Sequence, residues 1–109
     1  MRRTTKIYGV PIDIVNLEGA FEWFKQLLDR SGFSFICTPN TEIVMAARDD
    51  EELKSVLKTS DMNIPDGIGL IIASKLHKLG LIERVTGVDL MQEILEFCDY
   101  SRKSIYILG

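Results

Sequence analysis

Several things are scarce in this sequence, and each scarcity excludes something. There are two cysteines, Cys37 and Cys98, and one histidine, His77. Two separated cysteines make no disulfide framework, and with one histidine they give no zinc-ligand spacing, so no metal site is expected. Each cysteine stands among apolar neighbours. Both read as reduced core residues of a cytosolic protein, with a Cys37–Cys98 disulfide as the minor alternative. Long hydrophobic runs are missing too. The longest uncharged apolar stretch, Ile68 to Ala73, falls far short of the ~20 residues a bilayer span needs. The start is basic, but Asp13 arrives before a signal-peptide core can form. Positive charge is not in excess: 13 Lys and Arg against 16 Asp and Glu leave a net −3. No nucleic-acid partner is expected from that balance. Neither a G-x-G-x-x-G fingerprint nor a P-loop occurs, which argues against the common NAD and ATP enzymes and leaves no cofactor implied.

What is present is one domain's worth of chain, 109 residues with 46% hydrophobic content. A short apolar run, a polar turn and a helical period recur along it. Lys6 to Val15 is β-rich and broken by Gly9 and Pro11, giving one or two short strands at a sheet edge. Asn16 caps a helix with an apolar stripe of Leu17, Ala20, Phe21, Phe24, Leu27 and Leu28, ended by Gly32. Phe33 to Cys37 reads as a strand. Thr38-Pro39-Asn40 opens a helix with Ile43, Val44 and Ala47 inside. In the acidic run Asp49 to Glu52, Asp49 caps a further helix, with Leu53, Val56 and Leu57 inside. Met62-Asn63-Ile64 is a short strand. The helix from Ile68 to about Leu79 is apolar on most sides and should be deeply buried. Thr86 caps a last helix carrying Val88, Met91, Leu95 and Cys98, and Ser104 to Leu108 reads as a last strand. Alternating strands and helices argue an α/β, Rossmann-like fold, with a mainly parallel sheet and flanking helices. Residues 1–109 form a single α/β domain in this reading. The chain stops where another strand-to-helix turn would begin, so the expectation is the N-terminal part of a larger domain, with an open sheet edge that favours self-association.

Ligands of open α/β sheets bind beyond the carboxyl ends of the strands. Thr38 and Asn40 follow one expected strand and Asp66 follows another. If those strands are neighbours, the three residues line one crevice. Pro65-Asp66-Gly67 is a turn signature for purely local reasons. Alternatively, Gly67 turns the chain sharply into a helix and holds Asp66 at the crevice rim. There its carboxylate would serve as a general base, taking a hydroxyl proton as that oxygen attacks. Thr38 and Asn40 are explained equally well as helix caps. Thr86-Gly87 at a helix start would suit phosphate through free N–H groups, or is a plain cap, since most capped helices bind nothing. Arg84 suits a diphosphate through bidentate contacts, or is a surface arginine paired with Glu83. His77 reads as a rim residue. No helix shows the combined basic and apolar design of an interfacial anchor, so contact with a membrane would be peripheral and made elsewhere.

Three stretches taken in order carry a resemblance. They are Thr38-Pro39-Asn40-Thr41-Glu42, Ser60 to Gly69 (Ser-Asp-Met-Asn-Ile-Pro-Asp-Gly-Ile-Gly), and Glu83 to Leu90 (Glu-Arg-Val-Thr-Gly-Val-Asp-Leu). Together they resemble the blocks of the WecG/TagA/CpsF glycosyltransferases, with a likeness running from about residue 7 to the end. The resemblance implies transfer of N-acetylmannosamine from a UDP-sugar donor to the 4-hydroxyl of an undecaprenyl-diphosphate-linked N-acetylglucosamine. Inversion at the anomeric carbon would give a β-linked product for wall teichoic acid or a related surface polysaccharide. It places the reaction in the cytoplasm, at the inner face of the cell membrane. It assigns Asp66 as the base, Thr38 and Asn40 to the substrate pocket, and Arg84 to the diphosphate. It implies no metal-binding motif. Family members are considerably longer, and the segment through which they contact the membrane has no counterpart here. The rival is a non-catalytic α/β binding or regulatory module, in which these residues are only turns and caps.

Overall fold

The computed structural model describes residues 2–109. Strands β1 (Thr4–Ile7) and β2 (Val10–Asp13) pair antiparallel through a two-residue turn. Tyr8 and Gly9 both adopt positive φ there, 50° and 79°, as the tightest hairpin turns require. Pro11 is tolerated because this is a two-stranded sheet. Helix α1 (Leu17–Asp29) follows, and the Asn16 side chain accepts from Gly19 N at 2.8 Å, as expected of its cap. Then come β3 (Ile36–Cys37), α2 (Thr41–Asp49), α3 (Glu51–Thr59), β4 (Met62–Asn63), α4 (Ile68–His77) and α5 (Gly87–Ser101). β3 and β4 pair in parallel, Ile36 opposite Met62 and Cys37 opposite Asn63.

The architecture is mixed α/β with small sheets. A mainly parallel sheet is not what forms: one two-stranded pair is parallel and the other antiparallel. Strand alternation divides the core. Met62 and Ile64 turn toward α1 and α5, where Ala20, Leu27, Val85 and Leu90 are buried. A second cluster joins the hairpin to α2, α3 and α4 through Val10, Ile12, Val44, Leu57 and Leu70. Cys37 and Cys98 are both free thiols. Burial pushes the Cys37 thiol up, so it stays protonated.

Several expectations fail for identifiable reasons. The strand expected over Phe33–Cys37 shrinks to two residues. Phe35 N donates to the Asp61 carboxylate at 2.9 Å and Phe35 O accepts from Asp61 N, so a side chain replaces a longer ladder. Phe33 lies exposed. α3 is capped by Asp50, whose carboxylate accepts from Leu53 N, while Asp49 ends α2. Val56 therefore turns outward and Leu57 inward. α4 buries only Leu70, Ile71 and Ser74, and Ile68, Ile72 and Leu76 are 59%, 54% and 75% exposed. α2 and the β1–β2 hairpin cover one side of α4 and no more. The inner stripe of α5 is Leu90, Ile94, Phe97 and Cys98, with Val88, Met91 and Leu95 exposed. Its partner is α1, through Phe97 set edge-on to Phe21 and Phe24 at 5.8 and 6.1 Å. Arg102 ends α5 in the left-handed conformation, and Ser104–Leu108 finds no strand to pair with.

A buried polar network holds the hairpin to β4. The Asp13 carboxylate accepts from Arg2 Nε and Nη2 at 2.9 and 3.0 Å and from Asn63 N at 2.7 Å. Asn63 Nδ2 donates to the carbonyls of Pro11 and Leu57, and Ser60 Oγ donates to Asn63 Oδ1.

Asp61 performs a similar task nearer the surface. The Phe35 N–H and the Arg30 guanidinium, 2.8 Å away, hold its carboxyl below the usual carboxylate range. A lowered folded-state value means that the unfolded chain binds the proton more readily. The stabilisation is thus present above about pH 4 and lost as pH falls through the folded value. In urea unfolding between neutral and acid pH, Asp61→Asn is expected to lose part of the acid-side decline shown by the parent. An unchanged decline would show that Asp61 does not contribute to it.

Candidate active site

The crevice expected from sequence depends on two strands being neighbours, and they are. β3 and β4 run parallel side by side, so the segments leaving them, Thr38-Pro39-Asn40 and Ile64-Pro65-Asp66-Gly67, emerge together. They are tied by main-chain bonds. Ile64 N donates to Cys37 O at 3.0 Å, and Asp66 N donates to Pro39 O at 3.2 Å and to Ile64 O at 2.9 Å. The third block comes in from the other side. Val85 N donates to Pro65 O at 3.0 Å, and Arg84 Nε donates to Asp66 O at 2.6 Å. Pro39 and Pro65 are fully buried beneath. Every main-chain polar group of Asp66 is therefore engaged, while its half-buried carboxylate accepts no hydrogen bond and joins no ion pair among the described residues. That is the arrangement of a fixed backbone presenting a free carboxylate.

Three glycines allow the blocks to close on each other. A Cβ on Gly67 would meet the main chain of Asn40 and Thr41 at 3.1 Å. A Cβ on Gly69 would collide with Thr41 Oγ1, and one on Gly87 would meet Thr38 Cγ2 at 3.1 Å. Gly67 has no room because its neighbour is backbone and cannot rotate away. Gly67→Ala is expected to force the start of α4 away from the start of α2, at a cost of ~1–3 kcal/mol typical of overpacking. Thermal melting checks this. A stability loss within error would show that the two segments part freely.

The starts of α2, α4 and α5 thus meet beyond the carboxyl ends of β3 and β4. Their N-terminal N–H groups and dipoles favour negative charge. α4 carries no side-chain cap at Gly67. The other two are capped from within. Asn40 Oδ1 accepts from Ile43 N at 2.9 Å, and Thr86 Oγ1 accepts from Asp89 N at 3.0 Å. These two side chains do what the bland reading asked of them, although Asn40 keeps its Nδ2 free. Thr38 caps nothing. It is exposed, with its methyl group over Gly87. Arg84 does not pair with Glu83, whose carboxylate lies 3.4 Å from Leu17 N. Its two Nη groups have no protein partner among the described residues and remain open to an anion.

Thr38, Asn40, Asp66, Arg84, Thr86 and Gly87 are all brought to one place, although no hydrogen bond links the side chains of Thr38, Asn40 and Asp66. Sequence reasoning gave Gly67 the sharp turn into α4 but not its close approach to α2, and it missed Thr41 and Gly69. Their signal was available: a glycine one and three positions beyond Asp66, at the start of a helix that follows a strand, as α2 does.

Comparison with known proteins adds three findings. The model of the Glycosyl transferase WecG/TagA/CpsF family matches residues 5–109. A Bacillus subtilis (strain 168) protein named N-acetylglucosaminyldiphosphoundecaprenol N-acetyl-beta-D-mannosaminyltransferase is 32% identical over 108 residues, which is 98% of this chain and 42% of that protein. Proteins of the same name from Bacillus spizizenii and Staphylococcus aureus (strain NCTC 8325) are 35% and 31% identical, over 75% and 69% of this chain and 32% and 30% of their own lengths. The chain thus spans less than half the length of the curated relatives it matches.

Proposed function

Because this chain belongs to the WecG/TagA/CpsF glycosyltransferase family, we propose that it carries the base-bearing half of an inverting sugar transferase with a Rossmann-like active site. The donor is UDP-N-acetylmannosamine. The acceptor is N-acetylglucosamine on undecaprenyl diphosphate, and the product serves wall teichoic acid or a related surface polysaccharide. The names of the relatives support an N-acetylmannosamine donor and an undecaprenyl-diphosphate-linked N-acetylglucosamine acceptor, and the proposed reaction takes place at the cytoplasmic face of the cell membrane. No helix among the described residues is long and apolar enough to cross a membrane.

The observation that carries the reading is the unpartnered carboxylate of Asp66, held on a fully bonded backbone beside three helix starts. In the reaction the acceptor's 4-hydroxyl gives its proton to Asp66 as its oxygen attacks the anomeric carbon from the face opposite UDP. The new C–O bond forms as the bond to the UDP oxygen breaks, so the configuration inverts. The negative charge growing on the diphosphate is met by Arg84 Nη groups and by the N–H groups at the starts of α4 and α5. Thr38 and Asn40 Nδ2 line the sugar's position.

The test is sugar transfer from UDP-N-acetylmannosamine to a short-chain, water-soluble N-acetylglucosamine-diphosphate-lipid analogue. It is run on this chain and on a version extended to the length of its relatives. Formation of a β-linked disaccharide supports the reading. A folded, extended protein that transfers nothing from this donor, while another nucleotide sugar is consumed, would replace the donor. Consumption of none would favour a binding module.

A further inference from the structure

The outer face of α4 serves neither the core nor the site. Ile68, Ile72 and Leu76 stand one turn apart along it, all exposed, and Lys75 shares that side by helical position. The stripe begins two residues after Asp66 and runs ~12 Å to Leu76, at 1.5 Å per residue. Cations gather at its far end. Lys75 and Lys78 lie there on either side of His77, and Lys6, Tyr8 and His77 line one open cavity together with Ala73. Tyr8 is exposed at the tip of the hairpin turn. Among the described residues Lys6, Lys75 and Lys78 form no ion pair. From Gly67 to Ile82 no Asp or Glu occurs, in a chain where acids outnumber bases 16 to 13. The sequence pattern hides this design, because an all-apolar helix reads as buried.

An apolar stripe ending in unpaired cations complements a bilayer interface bearing anionic headgroups. The aliphatic side chains enter the acyl boundary and the ammonium groups meet the headgroups. A second copy of this chain fits less well. A two-fold contact brings the same patch to itself, cations included, and offers them no negative partner. We propose that the outer face of α4, with the β1–β2 turn, docks this protein on anionic lipid. The proposal rests on the lipid-linked acceptor for its purpose: docking there would hold Asp66, at the near end of the stripe, beside a sugar carried on a membrane lipid.

The test is co-flotation of the whole chain with vesicles of phosphatidylcholine alone and of phosphatidylcholine mixed with phosphatidylglycerol. Binding is expected to the mixed vesicles only, and to weaken with added salt. Lys75→Gln with Lys78→Gln should reduce the partition coefficient roughly thirtyfold, about fivefold for each charge. Ile72→Ser with Leu76→Ser should abolish flotation with the melting temperature unchanged, since both side chains are already in water. Flotation that persists in both double variants overturns the proposal and moves the contact elsewhere, for instance to Ile105–Leu108. Loss of concentration-dependent self-association in these variants, without vesicle binding by the parent, overturns it in favour of a second copy. Transfer to the water-soluble acceptor separates this idea from the enzymatic one. Transfer without flotation sinks the docking surface alone, and flotation without transfer sinks the sugar chemistry alone.

Discussion

Replacing Asp66 by Asn is expected to lower sugar transfer by roughly 10² to 10⁴, the usual worth of a general base, while leaving the melting temperature of the protein where it was. The two halves of this expectation have separate causes. The amide cannot accept the acceptor's proton, so attack must proceed from a neutral hydroxyl. The fold does not use the carboxylate: the three bonds that Asp66 makes run through its main-chain N–H and carbonyl, to Pro39, Ile64 and Arg84, and the substitution keeps them all. Initial rates and a thermal melt on the same preparation check both halves. Full transfer by the Asn variant would remove Asp66 from the chemistry. A large fall in melting temperature would return Pro65-Asp66-Gly67 to the status of a structural turn. Arg84 offers a contrast, because it touches both the Asp66 carbonyl and the open side of the crevice, so truncating it should disturb position and charge together.

The second large effect lies far from any chemistry. Asp13→Ala is expected to cost ~3–5 kcal/mol, the price of breaking a buried pair from one side. Asp13 is 1% exposed and accepts three hydrogen bonds, two from Arg2 and one from Asn63 N. Its removal strands the Asn63 N–H in the interior and leaves the guanidinium half-covered without a counter-charge. A domain of this size holds only ~5–15 kcal/mol in total, so the variant should be close to unfolding at room temperature. Urea titration of the parent and of Asp13→Ala measures the difference. A loss under about 1 kcal/mol, the scale of an exposed ion pair, would mean that water enters the network and replaces the carboxylate. Asp13→Asn should fall between the two, because one oxygen still accepts from Asn63 N while the charge opposite Arg2 is gone.

Local chemistry made much of this molecule legible in the sequence. Asn16 and Thr86 cap the helices they were expected to cap, because a short polar side chain reaching its own third N–H needs no tertiary partner. The short apolar runs at Ile36–Cys37 and Met62–Asn63 did become strands. The rule that ligands meet the carboxyl ends of parallel strands singles out Thr38, Asn40 and Asp66, and the pairing of β3 with β4 brings them together. What failed, failed where a segment's fate depends on its neighbours. The Phe33–Cys37 run has strand propensity throughout, yet Asp61 takes the place of a ladder at Phe35. Ser104–Leu108 has the same propensity and no edge to join.

By itself, then, the sequence determined most of the helix starts and the polar residues that follow the two short strands, since caps and turns follow from interactions within a few residues. It also carried the family, through three short blocks in order. Tertiary structure alone decided which face of α4 and α5 is inside. α4 is apolar on nearly every side, and packing against α2 and the hairpin selects Leu70 and Ile71 for the core and leaves Ile72 and Leu76 in water. α5 turns its aromatic side to α1 for the same reason. Tertiary structure also decided that the Asp13 carboxylate meets the main-chain N–H of Asn63, fifty positions away in the chain, and that Asp66 keeps its carboxylate free. Contacts between distant segments are set by how the pieces pack, and no local pattern of residues records that packing.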